Sequence, residues 1–138
     1  MGIGADIETL GRLALFADLS RPQVEAIAHT LDEEMFPEGQ RVLRQGFSGS
    51  NLYIILDGEA AVVIDGTERA RLGRGEFFGE ASTLLGTPPT ADVVATTPLR
   101  CLVVPAPELE DFLMAYPAVA IRMLREEVRR LATTLQWL

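Results

Sequence analysis

The chain has 138 residues and a formal net charge of −8 at neutral pH, with 12 basic side chains against 20 acidic ones. That length predicts a single domain over residues 1–138 with a sizeable core, and the acidity argues against direct nucleic-acid contact, which needs a basic face. No apolar run approaches the roughly 18 residues that span a bilayer, and no basic flank precedes an apolar start, so the expectation is a cytoplasmic chain without a membrane segment.

Residues 6–17 read as an amphipathic helix, with Ile7, Leu10, Leu13 and Ala14 at helical spacing. Ser20-Arg21-Pro22-Gln23 then carries a capping-box start, serine first and glutamine three residues later, with proline in the first turn. Val24, Ile27, Ala28 and Leu31 give this second helix its apolar face. Residues 1–31 are therefore predicted as N-terminal helices. The single histidine, His29, falls inside them.

From Asp32 to Val104 the punctuation changes. Pro37-Glu38-Gly39, Gln45-Gly46, Asp57-Gly58, Asp65-Gly66 and Gly73-Arg74-Gly75 arrive about every eight to ten residues, and Asp-Gly marks tight hairpins. Short strands are expected over 33–36, 41–44, 52–56, 60–64, 69–72, 77–78, 92–96 and 99–104. They make a mainly β domain with flanking helices: an antiparallel roll of seven to eight strands over 32–104. Cys101, the single cysteine, lies in the run 99–104, so it forms no internal disulfide and reads as a buried thiol. With one His and one Cys there are too few ligands for a zinc, iron or copper centre, or for a Ser-His-Asp or Cys-His nucleophile.

The stretch 73–91, G-R-G-E-F-F-G-E-A-S-T-L-L-G-T-P-P-T-A, interrupts the roll. A short strand at Phe77-Phe78 leads into a helix over 79–85, which Gly86-Thr87-Pro88-Pro89 stops. Gly79, Ala81 and Ser82 put backbone N–H groups at a helix start with the Glu80 carboxylate beside them, a combination suited to a phosphate and a neighbouring hydroxyl.

Pro105-Ala106-Pro107 ends the sheet, and 107–138 returns to helix: a short one over 107–115 and a long one from Tyr116-Pro117 onward. Ile121, Leu124, Val128, Leu131, Leu135 and Leu138 alternate by three and four along it, an a/d seam. The 118–138 helix is expected to join a second copy of itself in a symmetric homodimer.

Two helices, a roll interrupted by Phe-Gly-Glu, and a closing long helix together resemble a cyclic nucleotide-binding domain. The supporting pieces are Leu15-Phe16-Ala17-Asp18-Leu19-Ser20, Gly46-x-x-x-x-Asn51-Leu52-Tyr53-Ile54-Ile55-Leu56-Asp57-Gly58, Gly75-Glu76-Phe77-Phe78-Gly79-Glu80 and Thr90-Ala91-x-Val93-x-Ala95. The resemblance implies a non-catalytic sensor for cAMP or cGMP. Glu80 would accept from the ribose 2′-hydroxyl, and the amides of Gly79, Ala81 and Ser82 would face the cyclic phosphate. Thr90 would touch the phosphate or a purine edge, and Thr134, on the long helix, the adenine.

One departure is decisive. The family's phosphate-binding arginine, in Pro-Arg-(Ser/Thr/Ala)-Ala, is replaced by Pro89 in Pro88-Pro89-Thr90-Ala91. Proline offers neither charge nor backbone donor, and a charge-assisted contact of this kind is worth about 1.5–3 kcal/mol. Arg71, Arg74 and Arg130 are the candidate replacements. The expected pocket is therefore degenerate, holding another ligand or none. The alternatives are a cAMP- or cGMP-binding sensor half of a transcription regulator whose DNA-binding half lies outside this chain, and, remotely, a cupin-like metalloenzyme.

Overall fold

The computed structural model describes residues 7–47 and 49–135. The expected first helix is cut short. α1 spans Ile7–Gly11, and a 3-10 turn at Ala14–Phe16 follows; Asp6, placed in this helix by its spacing, lies outside the described residues. Gly11 weakens the last turn, and Leu13 takes an extended conformation (φ −69°, ψ 136°) that breaks the helical path. Leu10, Leu13, Leu15 and Phe16 are nevertheless all buried. Of the expected face, Leu10 and Leu13 are buried and Ile7 partly so, whereas Ala14 is exposed and the 3-10 turn buries Leu15 and Phe16 in its place. α2, Arg21–Thr30, starts on the expected box: the Gln23 N–H donates to Ser20 Oγ, and the Ser20 N–H donates to Gln23 Oε1 at 2.9 Å.

Eight antiparallel strands follow: β1 Asp32–Phe36, β2 Arg41–Leu43, β3 Leu52–Asp57, β4 Ala60–Ile64, β5 Thr67–Leu72, β6 Phe77–Phe78, β7 Asp92–Ala95 and β8 Leu99–Val104. They form two four-stranded sheets, ordered β1-β8-β3-β6 and β2-β7-β4-β5. Helix α3, Glu80–Leu85, sits between β6 and β7. After β8 a 3-10 turn, Ala106–Glu108, precedes α4, Leu109–Ala115, and α5, Pro117–Leu135. The helix expected over 107–115 is therefore a tight turn plus a shorter helix.

The two faces of β3 explain its unbroken apolar run. Leu52, Ile54 and Leu56 pack under the helices with Phe16, Ile27 and Val119, while Tyr53 and Ile55 face the other sheet with Phe78 and Val93. Alternate residues of a strand point to opposite faces, so a strand covered on both sides is apolar throughout, here from Leu52 to Leu56, and only the terminal Asp57 reaches solvent. The Asp65-Gly66 hairpin has positive φ at both residues (51° and 79°), the conformation that twists correctly into β4 and β5. Gly58 has φ 95°, and a Cβ there would lie 2.2 Å from the Pro98 carbonyl oxygen. Among the described residues no helix is long and apolar enough to cross a membrane.

α5 presents two apolar faces. Val119 and Met123 are buried against the domain, whereas Ile121, Leu124, Val128 and Leu131 are each about half exposed on the outer side. Leu138, the last seam position, lies outside the described residues.

Candidate functional site

A cavity of about 580 Å³ opens between the second sheet, α3 and α5. All six residues singled out from the sequence line it: Gly79, Glu80, Ala81, Ser82, Thr90 and Thr134. The fold brings 79–82, 90 and 134 together although they come from three separate elements.

Gly79 makes the entry possible. It holds φ 89°, and a Cβ there would lie 2.0 Å from the Asn51 carbonyl oxygen, so β6 can turn into α3 against β3 only without a side chain. The hydroxyls behind it are committed inward. Ser50 Oγ lies 2.5 Å from Ser82 Oγ and 3.0 Å from Thr83 Oγ1, and Thr83 donates to the Gly79 carbonyl at 2.7 Å. Ser82 contributes to the wall through its backbone, its side chain being bound to the core.

Glu80 is the buried titratable group of the site, 4% exposed. Burial above all, then the neighbouring Glu127 carboxylate, pushes its pKa up to about 8; its own N–H and Arg130 pull the other way. Arg130 of α5 reaches it at 3.5 Å, also contacts Glu126 and Glu127, donates to the Phe77 carbonyl at 2.8 Å and lies 4.5 Å over the Phe77 ring. The carboxylate assigned to a ribose hydroxyl thus already has a partner across the domain.

The opposite end of the cavity lacks a cation at the expected place. Pro89 is buried there, its carbonyl accepting from the Gly46 N–H at 2.9 Å. Of the three candidate replacements, Arg130 is held by Glu80 and its neighbours, and Arg71 is held by Glu68 at 2.9 Å and Glu59 at 3.0 Å. Arg74 does not line this cavity but a different cleft. Thr90 is exposed on the rim, and Thr134 donates to the Arg130 carbonyl at 2.9 Å, leaving its oxygen able to accept.

Two arginines of the wall escaped the sequence reading. Arg129 precedes Arg130 and pairs with Glu126. Arg69 sits in a β-bulge: Val62 pairs with Ala70 and Val63 with Glu68, so Arg69 is the extra residue. It is exposed on the cavity wall with no ion-pair partner among the described residues. Nothing in the local sequence announces a bulge, because it arises from the register of two strands. Cys101, on β8, is buried, which pushes its thiol up to about 12 and leaves it inert. Among the described residues no three His, Cys, Asp or Glu side chains are grouped to hold a metal.

Comparison with known proteins gives this geometry its family. The pattern of the cyclic nucleotide-binding domain matches residues 33–116. The chain is 33% identical over 127 residues to Glutaminase 2 of Bradyrhizobium diazoefficiens, covering 91% of the chain but only 20% of that protein. It is similar in structure to the Catabolite Activator Protein of Thermus thermophilus, with 28% identity and a TM-score of 0.77 over 87% of this chain and 59% of that one. A further match is the regulatory subunit of a cAMP-independent protein kinase A from Trypanosoma brucei, at 28% identity and TM-score 0.76 over 90% and 46% of the two chains. That structure is a triple mutant bound to cAMP, with a glutamate and a valine changed to alanine and a threonine to arginine. The family pattern covers most of the roll, α3 and α4: this chain belongs to the cyclic nucleotide-binding domain family.

Proposed function

We propose that the chain is a non-catalytic regulatory module whose pocket does not take a cyclic nucleotide in the family's manner. The observation that carries this reading is the buried Pro89 at the expected phosphate end, with Arg71 paired to Glu59 and Glu68 and Arg130 to Glu126 and Glu127. An incoming phosphate would have to break those ion pairs, or bind without a cation beside the Glu80 side chain. The kinase subunit described as cAMP-independent supports the reading, since the version of it holding cAMP carries an introduced arginine. The match to a fifth of Glutaminase 2 supports a module that answers to an attached activity. Calorimetric titration with cAMP and cGMP tests the proposal: the expected Kd is weaker than about 10 μM, or binding is absent, and a tighter value for either overturns it.

Arg69 favours a second reading, in which cAMP or cGMP binds with its phosphate displaced toward the bulge. Binding abolished by Arg69→Ala would identify that mode.

The outer face of α5 is proposed as the seam of a homodimer. Ile121, Leu124, Val128 and Leu131 repeat at the a/d spacing and point away from their own domain. Light scattering should show a dimer that Leu131→Asp converts to a folded monomer; a wild-type monomer sinks the assignment.

A further inference from the structure

A second cleft, of about 420 Å³, lies on the far side of Phe77, between the N-terminal segment, the β5–β6 turn and α5. Five arginines line it: Arg12, Arg74, Arg122, Arg125 and Arg129. The whole chain has 12 basic residues, all arginine, and a net charge of −8, so nearly half its positive charge converges on one concavity of an acidic protein. Three elements supply them. Arg12 follows α1, Arg74 sits in the turn after β5, and Arg122, Arg125 and Arg129 share one face of α5 by their spacing of three and four.

Pairing inside the protein leaves much of this charge unanswered. Arg122 makes two bonds to Asp18, at 2.8 and 3.1 Å, and Arg129 pairs with Glu126. Arg12, Arg74 and Arg125 form no ion pair among the described residues, although Arg12 acts at longer range on Glu8 and Arg125 on Asp18. Of the carboxylates lining the cleft, Glu76 is turned into its own loop, accepting from the Gly73 N–H at 2.9 Å, and Glu126 is shared between Arg129 and Arg130. Buried Leu13 lines the cleft, its Cδ2 3.8 Å from where a Cβ on Gly75 would stand. Like charges gathered in one cleft repel one another, and a bound anion relieves that repulsion.

We propose that this cleft binds a polyphosphate, a small anion with two or more linked phosphoryl groups such as inorganic triphosphate or a nucleoside triphosphate. Three unpaired guanidiniums within one small cavity call for several negative charges a few ångströms apart. Linked phosphates supply these, and the guanidinium fork meets phosphate oxygens in pairs. An acidic peptide spaces its charges more widely. Occupancy ties α5 to the N-terminal segment and to the β5–β6 turn. It also acts on the first cavity, because drawing Arg129 away leaves Glu126 wholly to Arg130.

Titration calorimetry of the chain with inorganic triphosphate at about 50 mM salt tests the site. The expected result is saturable binding at a Kd near 10 μM or tighter, weakened roughly tenfold by Arg12→Ala and by Arg125→Ala and unchanged by Arg69→Ala. Orthophosphate should bind at least about tenfold more weakly. ATP as a second probe separates the sources: tighter than triphosphate means a nucleotide, equal means the phosphate chain alone, and both support the site. Absent triphosphate binding overturns the proposal, as does orthophosphate binding equally well, or a hexaglutamate peptide binding more tightly. Thermal melts show whether each variant is folded; if Arg12→Ala is not, Arg125→Ala, on an exposed position of α5, decides.

Discussion

The two cavities on either side of Phe77 share Arg129, Glu76 and Glu126, and both are lined by arginine, yet their charge balance is opposite. In the first, Arg71, Arg129 and Arg130 are each paired to a carboxylate and only Arg69 is left. In the second, two of five are paired. Counting arginines would rank the two alike. What differs is the charge remaining after the protein's own glutamates and aspartates have been served, and that residue is what a phosphate meets. The first cavity is the better neutralised of the two.

The largest expected effect tests the wall between them. Gly79→Ala forces a Cβ to within 2.0 Å of a backbone oxygen at a positive φ. The variant should lose on the order of 3 kcal/mol or fail to fold, read as a lowered Tm; an unchanged Tm would mean that β6 and α3 can shift cheaply.

Glu80 comes next. Its pKa is raised from 4.5 to about 8, so between those values the folded state holds more protons than the unfolded one. Stability attributable to this group is therefore full at pH 4.5 and below, declines as pH rises through the window, and is lowest above pH 8. Glu80→Gln removes the titration. Relative to wild type the variant should gain stability steadily from pH 5 to pH 9, by up to a few kcal/mol, in denaturant melts. A difference that does not vary with pH would show that Arg130 keeps Glu80 ionised throughout.

Pro89→Arg restores a cation to the phosphate end of the first cavity. Cyclic nucleotide affinity should rise between about tenfold and a few hundredfold by calorimetry, while triphosphate binding in the second cleft stays unchanged. No gain would locate the defect at the Glu80–Arg130 pair instead. The mildest change is the double variant Glu59→Gln, Glu68→Gln, which frees Arg71. These are exposed pairs, so stability should move by less than about 1 kcal/mol. Cyclic nucleotide affinity should rise only a few-fold; a rise as large as that of Pro89→Arg would make pairing, rather than the proline, the main obstacle.

How much was legible in the chain varies element by element. Ser20 and Gln23 announced their capping box because both partners lie within one helical turn. Asp65-Gly66 announced its hairpin because positive φ at two successive residues restricts the residues allowed. The first helix was overextended because a 3-10 turn buries the same leucines as an α-helical one would, and spacing alone does not separate them. Arg74 was grouped with Arg71 as a neighbour in sequence, yet the two face different cavities.

The sequence by itself determined the order of the eight strands along the chain, the capping box that opens α2 and the Phe-Gly-Glu entry to α3. Each of these is a local pattern, carried by residues a few positions apart, and local conformational preference is enough to express it. Only the tertiary structure decided which arginines are spent. Glu80 lies 50 residues from Arg130, and Asp18 lies 104 from Arg122. The bulge that turns Arg69 to the cavity depends on the register between β4 and β5. Electrostatics acts through space, so the charge left in each cavity emerges only once the chain has folded.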